Sequence, residues 1–265
     1  MKNRITLREN LSANSLFHFT SSKENLLGIL RNNFYPRYSP EDLCITKSIP
    51  SPNIFGIPMV SFCDIPLSQI RNHIQTYGHY ALGLTKAWAK LHGITPVMYF
   101  YPDSQSAIVT RDLFRTFLDN IQSNQVGTNI MSQLLTYSSF FQKQYEGKLF
   151  RNGKFSEEVV RFYDEREWRF VPPWSEFANK PTPPYLKQED VLNPTELLKA
   201  NRLIEQFTSI PFEPRYIRYL IVDKEAEILE FIDEVLNIKG ANYSHNDLKI
   251  LTTRIVSIEQ ILDDY

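Results

Sequence analysis

Residues 15–34, SLFHFTSSKENLLGILRNNF, decide the fold class, because they read as a strand, a turn and a helix in that order. Residues 16–20 form an apolar run suited to a strand. Ser21, followed three residues later by Glu24, matches a capping box and predicts the helix start. Leu26, Leu27, Leu30 and Phe34 then recur at helical spacing and should face a core, and Pro36 ends the run. On the C-terminal side, residues 38–56 are polar, carry Pro40, Pro50, Pro52 and Gly56, and read as a loop. Residues 57–63 return to a strand pattern that starts near Pro58, where a missing N–H is tolerable. A helix over 67–75 ending near Gly78, a strand over 79–85, a short helix around Trp88 and a strand over 97–101 follow. The stretch 103–150 contains no proline, and its apolar spacing predicts an inserted helical layer. Residues 158–171 read as a strand, and 172–194, with six prolines, as a Pro-rich surface excursion. The C-terminal part predicts a strand over 217–222, an amphipathic helix over 225–237 stopped by Gly240, and a last strand over 248–258. Strands spread from end to end among helices make the chain α+β, a single domain over 1–265 with one mixed sheet.

Composition narrows the function classes. Of 265 residues, 42% are hydrophobic and the formal net charge is −1, which excludes a disordered chain and a globally basic nucleic-acid coat. No apolar run is long enough to span a bilayer, and the N-terminal MKNRITLREN lacks the apolar core of a secretory signal. A cytoplasmic protein is expected, with no membrane partner. Cys44 and Cys63 supply neither a disulfide framework nor a metal-binding spacing, so no metal is expected. Nine glycines leave little material for a phosphate loop, and no dinucleotide fingerprint, G-x-S-x-G or HExxH motif is present. Aromatic residues, at 13%, are abundant enough to line a cleft as well as a core.

Three polar constellations lie in apolar surroundings. His18 stands between Phe17 and Phe19, two residues before Thr20, at the end of the first strand, where ligands commonly dock. In TYGHYALGLTK, residues 76–86, Tyr77 and Tyr80 could offer a flat stacking face, and Gly83 marks a close approach by a ligand or another backbone. In DEREWRF, residues 164–170, a continuous strand would line Glu165, Glu167 and Arg169 along one side and Arg166, Trp168 and Phe170 along the other. Two carboxylates on one face are costly to bury unless paired, and a carboxylate there could bond a ribose hydroxyl or offset an oxocarbenium-like charge.

These segments resemble a known family. LFHFT, IPMVSFCDIPLS, YGHYALGLTKAW, PVMYFY and EREWRF look like the AbiGi-type abortive phage-infection family, closely over about residues 15–101 and 163–171. More distantly, the order His, Tyr, Glu resembles the H-Y-E pattern of ADP-ribosyltransferases, DarT-like toxins among them. That resemblance implies a split mixed β-core with a cleft for NAD as co-substrate. It assigns catalysis to Glu167 and His18, NAD binding to His18, Phe19, Thr20 and Tyr77 or Tyr80, and substrate binding to Glu165, Arg166 and Arg169. The loop 36–56 would close over NAD as a lid. The acceptor would be a nucleic acid, RNA or single-stranded DNA, beside Arg161, Arg166 and Arg169, and a cognate antitoxin protein, with or without a chaperone, would silence the toxin. Some AbiGi-type members are labelled antitoxins, which implies a non-catalytic partner protein instead. An NAD-hydrolysing effector is the third reading.

Overall fold

The computed structural model describes residues 13–43, 54–121, 127–151 and 154–264. In chain order the elements are β1 (Ser15–Thr20), α1 (Lys23–Asn32), β2 (Arg37–Asp42), β3 (Ile54–Cys63), α2 (Arg71–Tyr77), β4 (Tyr80–Thr85), α3 (Lys86–Leu91), β5 (Thr95–Pro96) and β6 (Met98–Phe100). There follow α4 (Gln105–Ile121), α5 (Gly127–Ser139), β7 (Gln142–Gln144), β8 (Gly147–Arg151), β9 (Lys154–Val160), β10 (Glu167–Phe170), α6 (Gln188–Val191) and α7 (Pro194–Ile204). The chain closes with β11 (Ile217–Val222), α8 (Ile228–Lys239), α9 (His245–Thr252), β12 (Ile255–Ser257) and α10 (Ile258–Asp264). The protein is thus α+β, as expected. Two compact units can be distinguished: residues 1–33, 62–93 and 211–265 make the first, and 34–61 and 94–210 the second.

In the first unit the strand order is β12-β11-β4-β1. β1 pairs antiparallel with β4 over its whole length, from Ser15 opposite Thr85 to Thr20 opposite Tyr80. β11 is antiparallel to β4 and parallel to β12, so the sheet is mixed; α8 and α9 form the crossover that a parallel pair requires. Phe17, Ile65, Ile70, Ile74, Ala81, Ile221, Ile258 and Ile261 pack into one core cluster. The predicted strand–helix start holds, one residue displaced. Ser22, not Ser21, is the N-cap of α1, its hydroxyl accepting from the Asn25 N–H at 3.2 Å. The last strand is shorter than the 248–258 expected. Ser244 and Asp247 form a reciprocal capping box that starts α9, and this local hydrogen bonding overrides the β-branched pattern, leaving only Ile255–Ser257 extended.

Gly83 owes its identity to side chains. It lies opposite Phe17 on one side and Tyr219 on the other, and a Cβ there would meet the Phe17 ring at 2.8 Å. Without a Cβ, the rings of Phe17 and Tyr219 approach to 5.6 Å across the middle strand. Gly78 has φ +115° and ends α2; a Cβ there would stand 2.3 Å from the Thr20 carbonyl oxygen.

In the second unit β3 pairs antiparallel with β2, Arg37 opposite Met59 through Asp42 opposite Ile54. The expected loop 36–56 is therefore a strand over its first part, and residues 44–53 of the supposed lid, Cys44 included, lie outside the described residues. Pro40 hid this strand, and its position explains why it is tolerated. It pairs with Gly56, whose N–H and C=O both bond Leu186, and the Tyr38 N–H donates to Asn201, so alternate backbone groups point away from the β2–β3 pairing. Pro40 and Pro58 both occupy such positions, where no cross-strand N–H is needed.

Two further expectations are corrected in this unit, and a third is qualified. Helices fill only part of 103–150: α4 and α5 are followed by β7 and β8, a polar run without the apolar alternation that would announce strands. Residues 158–171 are not one strand; β9 ends at Val160, a 3-10 turn spans Phe162–Glu165, and Arg166 adopts left-handed φ 44° before β10. The Pro-rich stretch 172–194 is mostly exposed, as expected of a surface excursion, but it is anchored at several points. Phe177, Leu186 and Val191 are buried with Tyr38, Ile54, Ala200 and Ile204, and the Tyr38 hydroxyl bonds Thr182 and the Pro183 carbonyl.

Candidate functional site

The chemistry of the second unit concentrates around Arg169. Its position on β10, opposite Thr95 of β5, leaves the guanidinium fully buried. An unpaired buried charge is prohibitive, and every side of this one is met. Arg169 Nε donates to Glu167 Oε1 at 2.6 Å, Nη2 to Glu41 Oε2 at 2.7 Å and Nη1 to the Phe140 carbonyl at 2.9 Å. Glu167, two residues earlier on the same strand face, also accepts from Ser61 Oγ at 2.7 Å and from Lys143 Nζ at 2.8 Å. Lys143 reaches Glu165 as well, at 2.8 Å, and lies over the Phe162 ring at 4.8 Å. The Tyr99 hydroxyl accepts the Glu167 N–H at 2.8 Å.

Electrostatics fix the protonation states. Burial alone would push the Glu167 carboxyl up, but the Arg169 and Lys143 charges outweigh it and hold the group well below the usual carboxylate range. Burial likewise opposes the Lys143 ammonium, and Glu167 and Glu165 reverse this, keeping it charged well above the usual lysine range. Burial, then the Glu167 charge, raises the Tyr99 phenol. The result is a chain of alternating charges, Glu41–Arg169–Glu167–Lys143–Glu165, closed at its ends by partly buried carboxylates.

The structure thus brings Glu165, Glu167 and Arg169 together, although Glu165 arrives from a turn instead of the strand. Arg166 caps the 3-10 turn, its N–H donating to the Tyr163 carbonyl at 3.2 Å. Lys143, Glu41, Ser61 and Tyr99 escaped the sequence reading. Lys143 lies in the polar run QKQ and Glu41 in RYSPED, and neither string distinguishes a buried partner from a solvated one.

The remaining candidates belong to the first unit. His18 is half-buried on β1 opposite Leu82, its ring 5.8 Å from Phe62. Phe19, His73 and Tyr77 form a row of rings with centroids 5.9 and 5.7 Å apart, which leaves Tyr77 packed on a histidine of its own helix. Thr20 lies opposite Tyr80. The Tyr80 hydroxyl donates to Glu227 at 2.9 Å; burial and this bond raise its phenol above the ordinary value. Beside it, His79 Nδ1 and Asp223 are 2.6 Å apart. Among the described residues no group of three or more His, Cys, Asp or Glu side chains could hold a metal ion, and no helix is long and apolar enough to cross a membrane.

Comparison with known proteins supplies the family. The model of a family described as abortive phage resistance protein AbiGi, antitoxin, matches residues 32–223. The abortive phage resistance protein AbiGi of Lactococcus lactis subsp. cremoris is 28% identical over 253 residues, which cover 88% of this chain and 99% of that protein. No solved structure matches. With the family model spanning well over half of its length, the chain belongs to the AbiGi family of abortive phage resistance proteins.

Proposed function

We propose that this chain is the non-catalytic antitoxin of a phage-defence module, neutralising a toxin protein by direct contact. The observation that carries the reading is the state of Glu167. A glutamate that stabilises an oxocarbenium-like centre must turn an unsatisfied carboxylate edge toward substrate. Here both oxygens are engaged, Oε1 by Ser61 and Arg169, Oε2 by Lys143 and again by Arg169 at 3.1 Å. Such a group is a strut between strands. The family's description as an antitoxin supports the same role.

The competing reading, an NAD-dependent transferase on an ADP-ribosyltransferase-like core with a nucleic-acid acceptor, requires Glu167 to leave these partners and His18 to bond a ribose. Growth rescue separates the two. Expressed with the toxin of its own module, the chain should restore growth, and His18→Ala should rescue as well as wild type. Purified chain incubated with NAD labelled in the adenosine moiety, with RNA or single-stranded DNA, should transfer nothing. Transfer of label that is lost in Glu167→Ala would overturn the antitoxin reading and establish the transferase.

A further inference from the structure

We infer that a cavity in the second unit is a binding site for one ammonium or guanidinium group carried on an apolar stem. A lysine or arginine side chain of a partner protein and a free polyamine share that chemistry. The cavity lies among β2, β7, β8, β9 and the 3-10 turn before β10, and its volume is about 50 Å³. A single water needs about 10–15 Å³ of such space, so the cavity admits the end of one side chain and excludes a nucleotide. Its apolar wall is aromatic: Phe150 and Phe155 meet edge to face at 5.0 Å, and Phe162 completes it. Glu41, Lys143 and Lys148 bring charge to the lining.

Glu41 identifies the occupant. Its side chain is only 19% exposed, and it bonds Arg169 through Oε2 alone. Among the described residues no donor reaches Oε1. A largely buried carboxylate oxygen without a donor is costly, and a cation in the cavity would supply the missing charge-assisted bond. Such a cation extends the alternation Glu165–Lys143–Glu167–Arg169–Glu41 by one member. The two lysines do not reverse this preference. Lys143 spends its charge on Glu165 and Glu167, each at 2.8 Å, and Lys148 is exposed, so its ammonium can stay in water. Asp42 also lines the cavity. In the cavity and directly behind it stand four carboxylates, Glu41, Asp42, Glu165 and Glu167, against three cations, Lys143, Lys148 and Arg169. The surplus is negative and disfavours an anion. The aromatic wall already carries a cation, with Lys143 Nζ 4.8 Å from the Phe162 ring centroid, and Phe150 and Phe155 offer apolar surface to the stem of another.

The test titrates the purified full chain with n-butylammonium and n-butylguanidinium, and with n-butyrate as the anionic counterpart, followed by ligand line broadening in NMR. Both cations should bind saturably and butyrate should not. Glu41→Gln should weaken the cations about tenfold or more, and Phe155→Ala about two- to fivefold. Lys148→Glu changes an exposed residue outside the ion chain and should tighten them, a gain that misfolding cannot imitate. Butyrate binding in place of the cations would overturn the site. So would cation binding that Glu41→Gln and Lys148→Glu both leave unchanged, or a folded wild type that binds neither cation. Two further arms separate the sources. If the natural cation is free, mass spectrometry of an acid extract of the purified chain should detect a polyamine. If it is a partner's side chain, n-butylguanidinium should compete with the toxin of the module, and Lys148→Glu should tighten that complex as well. A site that neither retains a polyamine nor competes with the toxin would bind the probes alone, and the proposal would fall. Growth rescue by a chain that fails the butyl titrations would remove the site and leave the antitoxin reading standing.

Discussion

Arg169 shows how much one side chain can commit a structure. Its guanidinium is fully buried and joins Glu41 of β2, Glu167 of β10 and the Phe140 carbonyl that follows α5. Arg169→Ala removes the cation that the buried Glu167 and the partly buried Glu41 share. The expected loss is roughly 3–5 kcal/mol, the usual cost of breaking a buried pair, and a urea titration measures it. Glu167→Gln asks a finer question through pH. The Glu167 carboxyl is held below its ordinary value of 4.5, so the unfolded chain binds its proton more readily than the folded one. Its contribution is present above about pH 4.5 and fades as pH falls from there toward the depressed folded value. Glu167→Gln should therefore be less stable than wild type at about pH 7, with the gap narrowing at about pH 3. A gap that stays constant across that range would mean the charge of Glu167 adds nothing. The sequence revealed Glu167 and Arg169 because polar residues two apart in an apolar setting must be paired. It could not reveal Lys143, which becomes a partner only when β7 is brought beside the turn preceding β10.

At the scale of elements, local rules sufficed wherever hydrogen bonds close within a few residues. The β1–α1 start, the α2–Gly78–β4 turn and the β11–α8 succession were all readable, because a cap, a glycine or an apolar run settles each one. The errors fell where a long-range partner decides. Strand β2 exists because β3 and Asn201 satisfy a backbone that RYSPED alone would leave in water, and the Pro-rich 172–194 is anchored because Phe177, Leu186 and Val191 pack with Tyr38 and Ile54. Gly78 offers a clean test of the local kind. With φ +115° and the Thr20 carbonyl oxygen only 2.3 Å from where a Cβ would stand, Gly78→Ala must both strain its backbone and push β1 away. A destabilisation of about 2 kcal/mol or more is expected from these two effects. Gly93→Ala is the control: it too has positive φ, at +67°, but nothing lies within 4 Å of its Cβ, so it should cost less. Equal melting temperatures for the two variants would refute the close-approach argument.

For the whole molecule, chain order and spatial order diverge. The first unit is assembled from three separated stretches, the last of them residues 211–265, so its core is not complete until the C-terminus is in place. Phe231, Val235 and Leu251 are fully buried, and Ile258 and Ile261 nearly so. Each such side chain contributes about 1.5–3 kcal/mol on burial, and five of them together rival the ~5–15 kcal/mol stability of a typical domain. A fragment ending at Asp223 retains β11 yet loses β12 and all five side chains, and with them α8, against which α1 packs. The fragment 1–223 should therefore lack a cooperative thermal transition in its first unit and should fail to rescue growth against the toxin. If 1–223 instead melts cooperatively like the full chain, the acidic C-terminal layer is an appendage, and its role in holding the first unit together is wrong.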